Sequence, residues 1–153
     1  MNATQVADHV AIRECIDRFP LAMSMGDAAA IPPLFIQDGS WGAGEPFNFE
    51  IAGAARIGVA IAGNKAVFEY VVQMIHSVSI DIDGDAASAT CLLEEVTRKA
   101  DGQGGLHMYG FYKDDLVRTE GGWRFAKRHF TAISLERCTP GARGVGAAES
   151  AGQ

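Results

Sequence analysis

A chain of 153 residues, 48% of them hydrophobic and 21% charged, is long enough to bury one core and is typical of a single globular domain. The formal net charge of −6, with no basic stretch, argues against a nucleic-acid partner. No apolar run approaches the ~20 residues of a membrane span, and three widely spaced cysteines are typical of reduced thiols, so we expect a cytoplasmic protein without a membrane partner.

The first 26 residues predict an amphipathic helix. Apolar residues recur along it at intervals of three or four, at Ile12, Ile16, Phe19 and Met23. Thr4 can cap its start, and Gly26 can end it. Pro20 lacks a backbone N–H and is expected to kink or interrupt this helix.

Two further helices and a glycine-rich segment are expected next. A short helix is predicted over residues 28–36 and a third over residues 65–75, because apolar residues again recur at helical spacing. Residues 42–63, rich in glycine and alanine, predict a strand, a flexible loop and a second strand.

The remaining sequence predicts a four-strand antiparallel meander. Residues 76–82 alternate between polar and apolar, residues 86–98 return as a partner strand, and residues 106–135 form a hairpin around the turn 119–122. Helices followed by a meander predict an α+β fold with helices on one face of a curved sheet. Residues 1–138 form one predicted domain, and residues 139–153, with little to bury, predict a disordered tail.

The order and spacing of several short motifs resemble the nuclear-transport-factor-2-like superfamily and, within it, the SnoaL-like branch. The matching residues are Gly26-Asp27, Leu34-Phe35, Asp38, Trp41, Gly63, His76, Asp83-Gly84-Asp85-Ala86, the run 112–118, Gly121-Gly122-Trp123-Arg124 and Arg128. The resemblance implies a cone-shaped α+β barrel, in which a strongly curved mixed sheet wraps around about three amino-terminal helices. It also implies a pocket for a small molecule and a homodimer or higher homo-oligomer formed through the outer face of the sheet.

His76 is the first candidate for proton transfer. Its alternation with Val78, Ile80 and Ile82 predicts that it faces the apolar, concave side of the sheet. Imidazole suits a general base or acid because it titrates near neutral pH. The resemblance implies a catalytic histidine here with an aspartate partner just before the Gly-Asp turn, a position held in this chain by Ser24. A hydrogen-bonded core histidine without a catalytic role is the alternative.

Three residues of the carboxy-terminal hairpin are further catalytic candidates. Tyr112 and Asp114 share one strand face, where a phenol can polarise an oxygen and a carboxylate can act as base. His129 has the same parity as Trp123 and Phe125 and could face the cavity. The alternatives are structural: Asp114 paired with Arg118 across strands, Tyr112 packed at an interface, and a histidine at a sheet edge or dimer contact.

The substrate-binding prediction rests on apolar and polar side chains that we expect around the pocket: Phe19, Met23, Ser24, Trp41, Phe49 and Tyr109. No metal-ligand cluster or nucleotide-binding motif is evident, so we expect cofactor-free chemistry. The predicted function is a lyase, either a dehydratase or an enzyme of retro-aldol-type C–C cleavage, acting on an aromatic or polycyclic small molecule. An isomerase or cyclase on the same scaffold, or a non-catalytic ligand-binding or assembly domain, stays open as an alternative.

Overall fold

The computed structural model describes residues 1–139. The tail predicted to be disordered lies, from residue 140 onward, outside the described residues. Within residues 1–139, no helix is both long and apolar enough to cross a membrane.

The first helix, α1, spans Ala3–Met25. Its cap is Asn2 and not Thr4, because the Asn2 side chain accepts a hydrogen bond from the backbone N–H three residues on, at 2.9 Å. Gly26 ends the helix as predicted, with φ 68°, a conformation that glycine adopts without strain. The predicted interruption is wrong: α1 continues through Pro20, whose lost N–H bond is offset by burial of the helix's apolar face.

The helix predicted over residues 28–36 is wrong beyond its first turns. Two 3₁₀ turns, Ala28–Ala30 and Pro32–Leu34, occupy this segment, and strand β1 (Phe35–Ala43) begins directly after them. The two consecutive prolines there supply no N–H groups for an α-helix. Strand β2 (Phe49–Ala52) follows as predicted, and the short helix α2 (Ala54–Ala62) replaces part of the expected loop and strand.

The helix predicted over residues 65–75 is also wrong. Helix α3 covers only Asn64–Val67, and the long strand β3 (Phe68–Asp83) takes the rest. Residues 68–75 are rich in aromatic and β-branched side chains, which favour a strand when a partner strand is present. That partner is β4 (Ala86–Lys99).

The sheet has six strands in the order β2-β1-β6-β5-β4-β3, with β5 at Gly105–Thr119 and β6 at Gly122–Cys138. The pair β1–β6 is parallel and the other pairs are antiparallel, so the sheet is mixed. The predicted meander and its terminal hairpin are confirmed. Helices packed against a curved, unclosed six-stranded sheet confirm the α+β fold.

Two β-bulges decide which side chains face the core. On β3, Ile75 pairs with Leu93 but Val78 pairs with Cys91, so two residues of β3 oppose one residue of β4. On β6, the pairing with β5 shifts in the same way around Ala126. Each extra residue reverses the alternation of faces along the remainder of its strand.

We call the side of the sheet that packs against α1 the inner face and the opposite side the outer face. The inner face carries the core, in which Phe19 of α1 meets Phe35 and Phe125 at ring distances of 6.1 and 6.4 Å. Beyond these rings, toward the carboxyl end of α1, the core opens into a cavity.

Candidate active site

The cavity has a volume of about 130 Å³ and lies on the inner face of the sheet. Its wall is mostly apolar, and it receives side chains from α1, α3 and every strand: Met23, Trp41, Ala43, Phe47, Phe49, Asn64, Phe68, Val71, Gln73, Leu93, Glu95, Met108, Tyr112 and Phe130. Phe47, which is 37% exposed, marks a side on which the cavity reaches the surface.

Glu95 places a carboxyl group in this apolar wall. On β4 it follows Cys91 and Leu93 in strict alternation, so it shares their inner face and is only 8% exposed. Burial raises its pKa from 4.5 to about 7, and a hydrogen bond donated by Gln73 Nε2 to Glu95 Oε2 at 2.6 Å opposes part of this rise. A carboxyl group with a pKa near 7 can both accept and return a proton at neutral pH.

Gln73 connects this carboxyl group to the end of α1. Its backbone N–H donates to Ser24 Oγ at 3.0 Å, and the Ser24 hydroxyl lies 3.4 Å from the Gln73 carbonyl oxygen. Ser24 therefore holds the β3 backbone through Gln73 and, among the described residues, makes no hydrogen bond to His76. It lies outside the cavity, beside an adjoining pocket of about 330 Å³.

Tyr112 provides a hydroxyl group in the same wall. Its side chain is 2% exposed, and its oxygen accepts a long hydrogen bond from Trp41 Nε1 at 3.4 Å. Burial raises the Tyr112 pKa to about 12, against smaller opposing effects that include hydrogen bonds from Trp41 and Gln73. The hydroxyl is therefore protonated at neutral pH and is available as a donor that can polarise a bound oxygen.

Behind Tyr112 lies a buried ion pair that does not reach the cavity. Arg128 is fully buried, and its Nε lies 3.3 Å from Asp114 Oδ1. The guanidinium stacks on three rings, with its central carbon 4.0 Å from the ring centre of Tyr112, 4.5 Å from Phe125 and 4.6 Å from Phe19.

Asp114 shares the inner face with Tyr112 as predicted, but it is not among the cavity-lining residues. Burial raises the Asp114 pKa to about 6, although the Arg128 charge opposes this. Asp114 therefore belongs to an ion pair, but the predicted partner Arg118 is wrong, because Arg128 occupies that place. Arg118 pairs instead with Asp8, at 2.6 Å, and with Asp85, at 2.8 Å.

The expectation that His76 and His129 face the cavity is wrong. His76 lies within the bulge of β3, and His129 lies beyond the bulge at Ala126 of β6, so both side chains leave the inner face. His76, with 46% of its side chain exposed, contacts Glu94 Oε1 through Nε2 at 2.9 Å on the outer face. The residue of β6 that turns inward at this level is Arg128, the immediate neighbour of His129.

Tyr109 is also misplaced by the sequence prediction. Strict alternation along β5 puts it on the face opposite Tyr112, where it is 39% exposed and donates to Glu94 Oε2 at 3.1 Å. The same carboxylate oxygen contacts His107 Nε2 at 2.6 Å. Hydrogen bonds from His107 and then His76 lower the pKa of Glu94.

Of the other predicted substrate-binding residues, Met23, Trp41 and Phe49 line the cavity. Trp41 packs edge-on against Phe49, with ring centres 4.9 Å apart. Phe19 lies one layer deeper, 6.0 Å from Trp41 and 5.9 Å from Tyr112 between ring centres, so it supports the wall without forming it.

Sequence reasoning missed Glu95 and Gln73. The signal for Glu95 was present, because it continues the alternation of Cys91 and Leu93 and is the first charged residue on that face. Gln73 was hidden by the incorrect helix over residues 65–75. Among residues 1–139, no group of three His, Cys, Asp or Glu side chains is arranged to hold a metal ion.

Comparisons with known proteins agree with this architecture. The model of the SnoaL-like domain family matches residues 4–129. No curated protein sequence matches the chain significantly.

Solved structures share the fold at low sequence identity. A provisionally assigned scytalone dehydratase from Novosphingobium aromaticivorans DSM 12444 superposes with a TM-score of 0.80 at 19% identity, covering 94% of this chain and 99% of its own. A nuclear-transport-factor-2-like protein with a cystatin-like fold from N. aromaticivorans gives 0.74 at 24% identity, with coverage of 98% and 92%. The hexachlorocyclohexane dehydrochlorinase LinA-type3 from Novosphingobium barchaimii LL02 gives 0.79 at 12% identity, with coverage of 92% and 96%. At these identities the likeness establishes the fold alone.

Proposed function

We propose that the chain, which belongs to the SnoaL-like domain family, is a cofactor-independent lyase acting on a small, apolar, ring-bearing molecule. The observation that carries this proposal is the burial of the Glu95 carboxyl group in the wall of a ring-sized apolar cavity, which raises its pKa to about 7. Tyr112, on the next strand, supplies a protonated hydroxyl group in the same wall.

In a dehydration, the Glu95 carboxylate takes a proton from a substrate carbon and the electron pair of that C–H bond forms the new C=C bond. The C–O bond breaks, and the departing hydroxyl group receives a proton from Tyr112 and leaves as water. Glu95 then passes the proton that it took from carbon to Tyr112, directly or through that water, and both groups return to their starting states. General acid–base groups of this kind contribute about 10²- to 10⁴-fold each.

In a retro-aldol cleavage, the same two groups act on different atoms. Glu95 takes the proton of a substrate hydroxyl, the electron pair of that O–H bond forms the second bond of a carbonyl, and the neighbouring C–C bond breaks. Its electrons form an enolate whose oxygen is stabilised by the Tyr112 O–H, and the proton held by Glu95 passes to the enolate carbon, which restores the Glu95 carboxylate. The names of two structural relatives, a dehydratase and a dehydrochlorinase, favour elimination over cleavage.

The size of the cavity favours one ring. A cavity of about 150 Å³ accepts a benzene molecule in another protein, and the cavity here measures about 130 Å³. Trp41, Phe49 and Phe130 provide aromatic faces for that ring. A polycyclic substrate would have to extend through the opening beside Phe47.

The outer face supports self-association. Phe111, Ile133 and Tyr109 expose 37%, 57% and 39% of their surfaces on or beside this face. We propose that a second copy of the chain covers them in a homodimer, which leaves the cavity on the opposite face free. Three free cysteines support a reducing, cytoplasmic location.

Turnover by Glu95 variants tests the proposed reaction. The wild type is screened against single-ring alcohols and β-hydroxy ketones, with products identified by mass spectrometry, and any active substrate is then given to Glu95→Gln and Glu94→Gln. Glu94 is the matched control because it neighbours Glu95 in sequence but lies on the outer face. Loss of kcat in Glu95→Gln alone supports the proposal. Equal turnover by both variants contradicts it, and ring binding without any turnover supports the alternative of a ligand-binding domain.

A further inference from the structure

Gln73 holds a buried hydrogen-bond acceptor without a partner. Its side chain is 7% exposed, and among residues 1–139 nothing donates to its Oε1. A buried acceptor that loses its water without gaining a donor is costly, so native structures usually satisfy such groups. Gln73 forms part of the cavity wall, where a bound molecule could supply the missing donor.

The charge of Glu95 decides which atom of the Gln73 amide is the oxygen and which is the nitrogen. Nε2 donates to Glu95 Oε2 at 2.6 Å. Exchanging the amide oxygen and nitrogen would set two acceptors against each other whenever Glu95 is ionised, so Oε1 must be the atom that turns away from Glu95. The backbone is held as well, because the Gln73 N–H donates to Ser24 Oγ at 3.0 Å.

The polar end of the cavity therefore offers mainly acceptors. Among the described residues, Gln73 is the single hydrogen-bond partner of Glu95, so the Glu95 carboxylate keeps unfilled acceptor positions. The Tyr112 hydroxyl is the nearby donor, and its acceptor capacity is partly used by Trp41. A ring that carries only an acceptor or a halogen would leave Gln73 Oε1 unpaired, whereas a hydroxyl group would satisfy it.

We propose that Gln73 selects ring compounds that carry a hydroxyl group, with the O–H of the bound molecule donating to Gln73 Oε1. Oε1 is buried in this structure, and binding requires the amide to turn about its terminal torsion, which is soft in glutamine, so that the oxygen faces the ligand. Gln73 is then a specificity-determining residue that deepens the proposed function, on whose cavity it rests. The substrate class that this selection favours is the single-ring phenols and cyclic alcohols.

The test compares binding of phenol with binding of fluorobenzene, a ring of similar size that lacks the donor. Binding is measured by NMR titration at pH 8 with wild type, Gln73→Met and the control Gln103→Met, which changes an exposed glutamine of the β4–β5 loop. We expect wild type and the control to prefer phenol by about tenfold, the worth of one buried hydrogen bond. Gln73→Met should lose that preference while still binding fluorobenzene.

A measurement on the wild type needs no variant. Phenol should shift the side-chain carbonyl ¹³C resonance of Gln73, and fluorobenzene should leave it in place. Any one of three results overturns the inference. The wild type binds phenol and fluorobenzene with equal affinity, Gln73→Met retains the preference for phenol, or one of the two rings does not bind to the wild type at all. These experiments measure binding and not turnover. If the preference for phenol is absent, the proposed function can still be supported by turnover that depends on Glu95. If turnover does not depend on Glu95, the preference for phenol can still be measured.

Discussion

Replacing Glu95 by glutamine should stabilise the protein at pH 8. Burial raises the Glu95 pKa from 4.5 to about 7, so the folded state binds a proton that the unfolded state has released between these values. Stability therefore falls as the pH rises from 4.5 to 7, and the full penalty is present above pH 7. At about 1.36 kcal/mol per pKa unit, the penalty is roughly 3 kcal/mol.

Glutamine keeps the shape of the side chain and removes the charge. Its amide oxygen can also accept the hydrogen bond that Gln73 Nε2 donates to Glu95. We expect the free energy of unfolding of Glu95→Gln to exceed that of wild type by about 3 kcal/mol at pH 8 and by less than about 1 kcal/mol at pH 5.

Urea unfolding at the two pH values measures these differences. Glu94→Gln is the control, and we expect its effect on the free energy of unfolding to have the opposite sign. The reason is that hydrogen bonds from His107 and His76 lower the Glu94 pKa in the folded state. That variant should be less stable than wild type at pH 8, and the difference should fade as the pH falls through the folded pKa. A Glu95→Gln effect that is independent of pH, or a loss of stability at pH 8, would refute the reasoning.

Three further predictions concern the surroundings of the cavity. Tyr112→Phe should lower kcat by about 10²- to 10⁴-fold on an identified substrate while changing the urea midpoint little, because the Trp41 hydrogen bond that the hydroxyl accepts is long, at 3.4 Å; an unchanged kcat would exclude Tyr112 as the acid. Arg128→Met should cost about 3–5 kcal/mol in urea unfolding, because Asp114 would be left buried without its partner, and a stable variant would contradict the pairing. Phe111→Lys combined with Ile133→Asp should convert a dimer into a monomer in sedimentation velocity without altering ring binding; a wild type that is monomeric at all concentrations would refute the proposed interface.

The alternation of apolar and polar residues was a sound guide only where strands run without an extra residue. Along β5 it placed Tyr112 and Asp114 on the inner face correctly, because β5 carries no inserted residue between them. On β3 and β6 the same rule failed for His76 and His129, since each lies beyond or within a bulge. A bulge is set by pairing with the neighbouring strand, and a local pattern does not record it.

The position of the site could be predicted, but its chemistry could not. Met23, Trp41 and Phe49 line the cavity as expected, because the curvature of the sheet and the end of α1 determine where space is left. The proposed acid–base group is Glu95 and not the predicted His76, and the burial of Glu95 depends on neighbours from other elements. Such burial raises a carboxyl pKa only after the strands have assembled.

The proposed role of Glu95 is tested most directly by an NMR titration of its side-chain carboxyl ¹³C resonance. The resonance is assigned by its absence in Glu95→Gln. A midpoint near pH 7 that moves when a ring compound binds is the predicted result. A midpoint near 4.5, unaffected by ligand, would place Glu95 in contact with bulk water and would contradict its role as the acid–base group of the cavity.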